Sequence, residues 1–567
     1  DESGPMPGAN VLLKGTMNGN VTNAEGEVTL SDIPNNGILV ISYIGYTTQE
    51  IPVGNNAIFT VMLEEDTQTL EEVVVVGFGT LEKKQVTNAV KSLSADDMMV
   101  GGGGSDISAA LQGKVGGLIM YNLGSPNAGT TYQLRGMTSI NAGKEPLIVI
   151  DGFPGGDIRS INQEDIKSID ILKDASAGAI YGTRAAGGVI LITTKSGSDT
   201  NGKIKLSYNT EFMKRQNYRK LDMLSGREYA EHNIGTDYGH DTDWWDALIN
   251  KDNLSQKHHF SLEMGTEKAQ VMTTFYYENQ EGISYKDERK DYGGRFNARF
   301  KLFDDWLEVR PSLLYRQTAR DNVFPNFQQA LRNNPTRSPY DSENETGYNV
   351  WTNESLDYNV LADAMLTDYY GLDKWFKPEV AMKLYIKPIP GLSYEQILGY
   401  ENRQWENHTY KSKYHREEIE NSRKGNAYLA FDKSERITSQ GIATYIKSFG
   451  ENHNLNVVAG YDYFEQNGEK FNMRNYNFSV DGIKYWDIGK GSYLSDGKAN
   501  MSSEKKVTER LFAVLARVNY TFKDRYVLQA SIRREGSSKF AKDNRWANFP
   551  SVSVAWRIAE ENFAKDI

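Results

Sequence analysis

The sequence contains no cysteine. Disulfide frameworks and thiolate metal sites are therefore excluded, while the compartment is left open. Long apolar runs are missing too. No purely aliphatic stretch is longer than Val73–Val76, far below the ~18 consecutive apolar residues of a membrane-crossing helix. A helical membrane protein is excluded. A transmembrane β-barrel is not, because its strands turn only every second residue to lipid. Positive charge is scarce. Lys and Arg number 64 against 75 Asp and Glu, a formal net charge of -11, which argues against nucleic-acid binding, where a basic face is needed. No signal peptide opens the chain. Asp1-Glu2-Ser3-Gly4 reads as a loop inside a domain, so earlier residues of a mature protein are expected.

Catalytic and metal-binding patterns are also lacking. There is no HExxH and no nucleophile–base constellation, so neither an enzyme nor a cofactor is expected. Gly197 to Lys203 matches most of a phosphate loop. Ile204 stands where Ser or Thr is required, however, and a strand rather than a helix follows. Asp237, Asp241, Asp243 and Asp246 surround Trp244-Trp245 but fit no calcium-loop spacing, and they read as a solvated loop. His258 and His259 are neighbours at a strand start, which sends their rings to opposite faces, so no metal site is expected there.

What is present is β-pattern. Aromatic residues make up 11% of the chain, enough for interfacial girdles or for sugar-binding surfaces. Residues 1–63 hold short β-prone runs at Val11–Leu13, Val28–Leu30, Ile38–Tyr43 and Phe59–Leu63, with turn signals between them; a small sandwich is expected. Residues 64–80 are an acidic linker followed by a β-rich run. Residues 81–198 form a compact α+β unit. Its expected strands are Leu147–Ile150 and Val189–Thr194, paired in one sheet, and its expected short helices are Ser105–Gln112, Gln163–Leu172 and Ala175–Tyr181. Residues 203–567 alternate strictly, as in Phe512, Val514, Ala516, Val518 and Tyr520. About a dozen such segments recur, each near the ~9–11 residues that cross a bilayer. Tight turns at Glu267-Lys268 and Asp304-Asp305 contrast with long polar connections at 321–377 and 465–505. The fold class is thus an all-β transmembrane β-barrel with an α+β plug and a small β-sandwich extension. A dozen strands cannot close around a plug of this size, since plugged barrels have ~22; the barrel is expected to be partial.

The ordered motifs carry a resemblance. Pro7-Gly8-Ala9-Asn10-Val11 with Ile41-Ser42-Tyr43-Ile44-Gly45-Tyr46 is similar to the carboxypeptidase-regulatory-like extension of the SusC/RagA family of TonB-dependent outer-membrane transporters. Glu71-Glu72-Val73-Val74-Val75-Val76-Gly77-Phe78-Gly79-Thr80 resembles that family's TonB-box region. Leu134-Arg135-Gly136, Val149-Ile150-Asp151-Gly152, Ile171-Leu172-Lys173-Asp174-Ala175-Ser176-Ala177 and Ile180-Tyr181-Gly182-Thr183-Arg184-Ala185-Ala186-Gly187-Gly188-Val189-Ile190 resemble its plug motifs. The glycine run Gly101–Gly104 and Met137-Thr138 depart from the pattern. The resemblance implies import of oligosaccharides or peptides into Bacteroidetes cells, with TonB and a SusD-type surface lipoprotein as partners. That lid would contact the long connections. A dimer of transporter–lipoprotein pairs is compatible with the resemblance. It also implies that the chain continues well beyond Phe549-Pro550-Ser551-Val552-Ser553.

Residue roles follow at two levels. Glu72, Val73, Val74, Val75, Val76 and Gly77 are the expected TonB-binding segment, because an extended β-prone stretch can add as a strand to a partner sheet. Arg135, Asp151, Lys173, Asp174 and Arg184 are either structural ion pairs or a latch to the barrel, and both readings require paired charges. Tyr348, Trp351, Tyr358 and Trp375 crowd one long connection, where they either stack on substrate or pack the loop. Oligosaccharide is the first choice of cargo. Peptide import, or a surface glycan-binding or adhesion protein without transport, are the alternatives.

Overall fold

The computed structural model describes residues 4–564 apart from 15, 17, 24, 32, 44–45, 47, 57, 64–72, 77–78, 83–86, 88–89, 96, 98–106, 108–110, 122–123, 137–144, 175–177, 353–356, 451 and 562, with the backbone alone at 73–76, 79–82 and 507. The chain divides into two units, residues 1–74 with 81–83, and the remainder. In the first, β1 (Asn10–Leu13), β2 (Gly19–Val21), β3 (Ile38–Ser42) and β4 (Gln49–Pro52) form one antiparallel sheet in the order β2-β1-β3-β4. Alternation buries Val11, Leu13, Leu39 and Ile41 on one face. The runs at Val28–Leu30 and Phe59–Leu63, expected as strands, join no ladder among the described residues. Val28, Leu30, Phe59 and Val61 instead pack into the apolar cluster beside Val11 and Ile41. β-propensity reports that a segment suits a half-buried surface, and irregular chain covering a sheet satisfies the same demand. β5 (Val73–Val76) and β6 (Gly79–Glu82) pair with each other and with no other described strand.

The second unit opens with β7 (Val90–Ser94), β8 (Leu118–Tyr121), β9 (Thr131–Leu134), β10 (Leu147–Ile150), β11 (Phe153–Pro154), β12 (Ile166–Leu172) and β13 (Val189–Thr194). Five of these form the sheet β11-β10-β13-β12-β7, while β8 and β9 pair alone. β10 and β13 are parallel, Leu147 opposite Val189, and nearly every residue of both is buried. Covered on both faces, they read as unbroken apolar runs. The helix expected over Gln163–Leu172 is mostly a strand. Only Gln163–Asp165 turns, as a 3-10 segment capped by Asn162, whose Oδ1 accepts from the Glu164 N–H at 3.0 Å. β12 then runs antiparallel to β13 and β7, and ladders on both edges outweigh the mixed spacing of Ile166, Ile169 and Ile171. In the helix expected at Ser105–Gln112, Ile107 and Leu111 are helical and buried. In place of the short helix expected at Ala175–Tyr181, a 3-10 segment runs over Ala179–Ala185. Gly101–Gly104, Met137-Thr138 and residues 175–177 lie outside the described residues.

Twelve strands follow in one antiparallel meander: β14 (Lys205–Met213), β15 (Ser255–Gly265), β16 (Ala269–Glu281), β17 (Asp287–Leu302), β18 (Leu307–Asn322), β19 (Thr367–Tyr385), β20 (Leu392–Lys411), β21 (Asn426–Phe449), β22 (His453–Tyr476), β23 (Asn500–Phe522), β24 (Tyr526–Ser537) and β25 (Trp546–Trp556). Short turns join them at one end. At Lys523 and Asp524 both φ angles are positive, 53° and 51°, the primed geometry that matches strand twist. At the other end the strands outrun the membrane. β21 and β22 have 24 residues each, roughly 80 Å of strand at ~3.3 Å per residue, against a hydrocarbon core of ~30 Å. This shortens the expected long connections. They are 323–366 and 477–499, and Trp375 lies within β19 rather than in a loop. β14 and β25 are each paired on one edge only and do not meet, so the sheet is a partial barrel.

The two faces of this sheet invert the pattern of a water-soluble protein. On β23, Phe512, Val514 and Val518 are 41%, 45% and 40% exposed, while Ala513, Arg517 and Asn519 are buried. Described residues of the plug, among them Ile180, Thr183 and Arg184, lie against the polar face. The apolar face has no protein over it among the described residues, as lipid contact requires. We expect Val514→Arg, near the middle of the apolar band, to destabilise the barrel by about 2–4 kcal/mol. Urea titration of receptor folded into lipid vesicles measures this; a change within ~0.5 kcal/mol would mean that the face does not meet lipid.

Candidate functional site at the plug–barrel interface

The tightest attachment is made by Ala179–Ala185. Gly182 breaks this segment with φ 68° and ψ -145°, a backbone region open essentially to glycine alone. A Cβ there would lie 2.2 Å from Glu535 Oε2 and 2.8 Å from Arg533 Nε. Glycine therefore lets the plug backbone lie flush on the barrel wall. Arg533 Nη1 donates to the Ile180 carbonyl at 3.0 Å, and Thr183 Oγ1 donates to Glu535 Oε1 at 2.6 Å. Asp462 Oδ2 accepts from Arg184 at 2.7 Å and from Arg533 at 2.9 Å. Arg533 Nε reaches Glu535 Oε2 at 2.8 Å, and Gln440 donates to the other Asp462 oxygen at 3.2 Å. Two guanidiniums thus face two carboxylates. Asp462 and Arg533 are both fully buried, an arrangement tolerable only because every charge is paired.

Further polar ties lie along the interface. Asp151, at φ 49°, accepts from the Thr194 N–H and hydroxyl at 2.8 Å each and pairs with Arg295 of β17. His259 of β15 sits between two plug carboxylates, 2.9 Å from Glu164 and 3.0 Å from Asp165. Lys257 is 3.1 Å from Glu164. Burial would raise the Glu164 carboxyl, but the His259 hydrogen bond and then the Lys257 charge outweigh it and hold it at about 2. Asn127 donates to Asp287 at 3.0 Å, and Arg436 donates to the Gly155 carbonyl at 2.7 Å. Of the expected latch residues, Asp151 and Arg184 reach the barrel. Arg135 pairs with Asp174, and Lys173 donates to the Gly116 carbonyl at 2.7 Å, all inside the plug. Glu164, Asp165, His259, Asp462, Arg533 and Glu535 went unrecognised in the sequence. Their signal is charge at the polar positions of alternating strands, as in Arg533 and Glu535, two apart on one face.

These features have counterparts in known proteins. Residues 82–189 match the TonB-dependent Receptor Plug Domain and residues 1–75 the CarboxypepD_reg-like domain. TonB-dependent receptor SusC of Bacteroides thetaiotaomicron is 30% identical over 99% of this chain and 58% of its own length. TonB-dependent receptor P3 of Formosa agariphila is 29% identical over 99% of this chain and 56% of its own. Along nearly its whole length the chain is similar to TonB-dependent receptors of the SusC type. It spans somewhat more than half the length of the curated relatives it matches. The RagAB peptide importer, solved in an open-open state, superposes with a TM-score of 0.76 at 21% identity over 87% of this chain and 59% of that one. The ferric citrate transporter FecA superposes at 0.53 with 10% identity over 84% of this chain and 61% of its own. Both share the fold. The chain is an outer-membrane β-barrel protein.

The expected substrate aromatics occupy two settings. Tyr348, Trp351 and Tyr358 are half-buried and pack with Trp244, Leu248 and Val360 in a core formed by the connections. Trp351 donates to the Asp357 carbonyl at 2.8 Å, and the Arg337 guanidinium lies 4.5 Å from its ring centre. Trp375 is buried on the plug side of β19, with Arg403 4.5 Å above its ring. It lines a small cavity between the plug segment Asp157–Arg159 and β17 to β20. Arg289 and Arg316 hold Asp291 there at 2.6 and 2.7 Å. Arg403 grips Asp373 with two bonds of 3.0 and 2.6 Å. Burial works against the Asp157 carboxylate, yet neighbouring Arg159 holds its pKa below the ordinary range. His258 packs against Tyr208 and Tyr277, opposite in direction to His259. The acidic loop residues take separate partners: Asp241 accepts from the Gly226 N–H, Asp243 pairs with Lys220, and Asp246 pairs with Lys251. Of the expected TonB-binding segment, Val73–Val76 is a strand, and Glu72 and Gly77 lie outside the described residues.

Proposed function

We propose that this chain is the plug-bearing part of an active importer, driven by TonB acting on Val73–Val76 and covered by a SusD-like lipoprotein. Oligosaccharides are the proposed cargo. One observation carries the reading: alongside an apolar cluster shared by Ile180, Leu191, Ile442 and Leu515, the plug is fixed to the barrel by paired charges and hydrogen bonds at separate points, Asp462 with Arg184 foremost. Such bonds are directional and can be exchanged for water bonds when a segment is pulled, whereas a permanently filled barrel needs only apolar packing. An adhesion protein needs neither the plug nor a strand poised to join a partner sheet. The lid would rest on 323–366 and 477–499. Additional strands, from sequence beyond these twelve, would pair the open edges of β14 and β25, because unsatisfied backbone in lipid costs several kcal/mol per group. Oligosaccharide is preferred over peptide because aromatic side chains such as Tyr348 and Trp351 gather in the outer connections.

The absence of native cysteine allows a clean test. Thr87 Oγ1 of the plug lies 2.7 Å from Ser553 Oγ of β25. In the intact receptor, Thr87→Cys with Ser553→Cys should form a tether close to the point where the pull arrives. Uptake is expected to stop under oxidation and to return on reduction. Uptake unaffected by a completely formed tether would refute plug movement at this point.

A further inference from the structure

The cavity beside Trp375 carries more than its place in the interface. Five guanidiniums surround it: Arg159 from the plug, Arg289, Arg316 and Arg320 from β17 and β18, and Arg403 from β20. They meet three carboxylates, Asp157, Asp291 and Asp373, an excess of two positive charges. The shortfall has a location. Arg320 reaches Asp373 only at 3.4 Å, and its Nε is buried without an acceptor. The indole Nε1 of Trp375, a residue 7% exposed, also lacks an acceptor. Buried donors without acceptors are rare in folded proteins, and here two of them line one cavity together with excess positive charge. We propose that this cavity is an oxyanion subsite that receives a carboxylate or sulfate borne by an acidic oligosaccharide. The inference rests on the importer reading above and names the class of its cargo.

Three features give the site this chemistry. Guanidinium forks match pairs of oxygens on carboxylates and sulfates, two bonds at a time. Arg403 is already oriented by Asp373 and by the Trp375 ring, so little side-chain freedom is lost on binding. The cavity is small, with room for the oxygens of one charged substituent and not for the sugar ring that bears it. Peptide fits less well. Recognition of a peptide backbone by strand addition needs a free sheet edge, and β17 to β20 are each paired on both sides. Only side-chain donors are on offer, and they suit a charged substituent.

The test uses the intact receptor in detergent. Sodium sulfate and sodium glucuronate are titrated against sodium chloride of equal ionic strength and glucose, and melting temperature is read. Sulfate and glucuronate should stabilise saturably; chloride and glucose should not. Arg320→Gln and Arg403→Gln should each weaken both effects about tenfold, the worth of one charged hydrogen bond. If either variant fails to fold, Arg159→Gln replaces it, since its partner Asp157 is partly exposed. No saturable stabilisation, or undiminished stabilisation in the variants, would overturn the proposal. So would an N-acetyl dipeptide that stabilises more strongly than glucuronate while its C-terminal amide is inert; that result assigns the cavity to a peptide terminus. The Thr87–Ser553 tether reports independently, so failure of the subsite leaves the importer reading standing or falling on its own result.

Discussion

Deleting Val73–Val76 from the intact receptor will abolish uptake, with loss of at least ~100-fold in rate, while the amount of folded receptor in the outer membrane stays unchanged. The four valines form β5, whose only described strand partner is β6. A two-stranded ribbon is marginal by itself in water, so β5 keeps an edge on which a partner's strand can pair. Backbone hydrogen bonds supply the affinity, and the deletion removes all of them at once. Nothing in the plug sheet or the twelve-stranded sheet pairs with β5, which is why folding should survive. Val74→Pro offers a graded version. It removes one N–H from the middle of the strand and should reduce uptake less than the deletion does. Growth on the cargo as sole nutrient, together with the quantity of receptor in the membrane fraction, measures both. Full growth with the deletion would exclude this segment as the coupling strand.

Asp462→Leu will loosen the plug by about 3–5 kcal/mol, the usual cost of removing one partner of a buried charge pair. Asp462 accepts from Arg184 and Arg533 at once. Without it Arg184 has no carboxylate partner, and Arg533 keeps Glu535 alone. Leucine fills most of the volume, so the loss is electrostatic and not a cavity effect. Denaturant titration of the plug, followed by proteolysis of the released segment, should show the lower midpoint. Adding Arg184→Met should recover much of the loss, because an apolar pair of similar volume often replaces a buried ion pair without cost. A double variant no more stable than Asp462→Leu would show that the stability lies elsewhere, with Thr183 and Glu535 the next place to look.

Strand existence was legible because it is a local property. Phe512, Val514, Ala516 and Val518 alternate since a pleated strand sends neighbours to opposite faces, whatever lies beyond it. Strand ends were not legible. β21 and β22 continue past the membrane as polar sequence, where alternation of apolar residues fades although the backbone ladder continues. The same limit turned Gln163–Leu172 from an expected helix into a turn followed by β12: Ile166, Ile169 and Ile171 can be read with either period, and the neighbours Val189–Thr194 and Val90–Ser94 decided it. Propensity over seven residues is too weak to resist two flanking strands.

By itself the sequence determined the partial barrel, the plug with its apolar strand pair, the resemblance to SusC-type receptors, and the alternation of apolar and polar faces along each strand. These follow from periodicity and from contiguous motifs. Only the tertiary structure decided which charges meet. Arg184 and Asp462 are 278 residues apart, and their contact depends on the register of every intervening strand and on the left-handed backbone of Gly182. The cavity beside Trp375 is assembled from the plug and four strands, so the excess charge there exists only once the sheet has formed. Alternation tells each side chain which face it occupies; the angular position around the barrel, which sets its partner, accumulates from hydrogen-bond register and is written in no single segment.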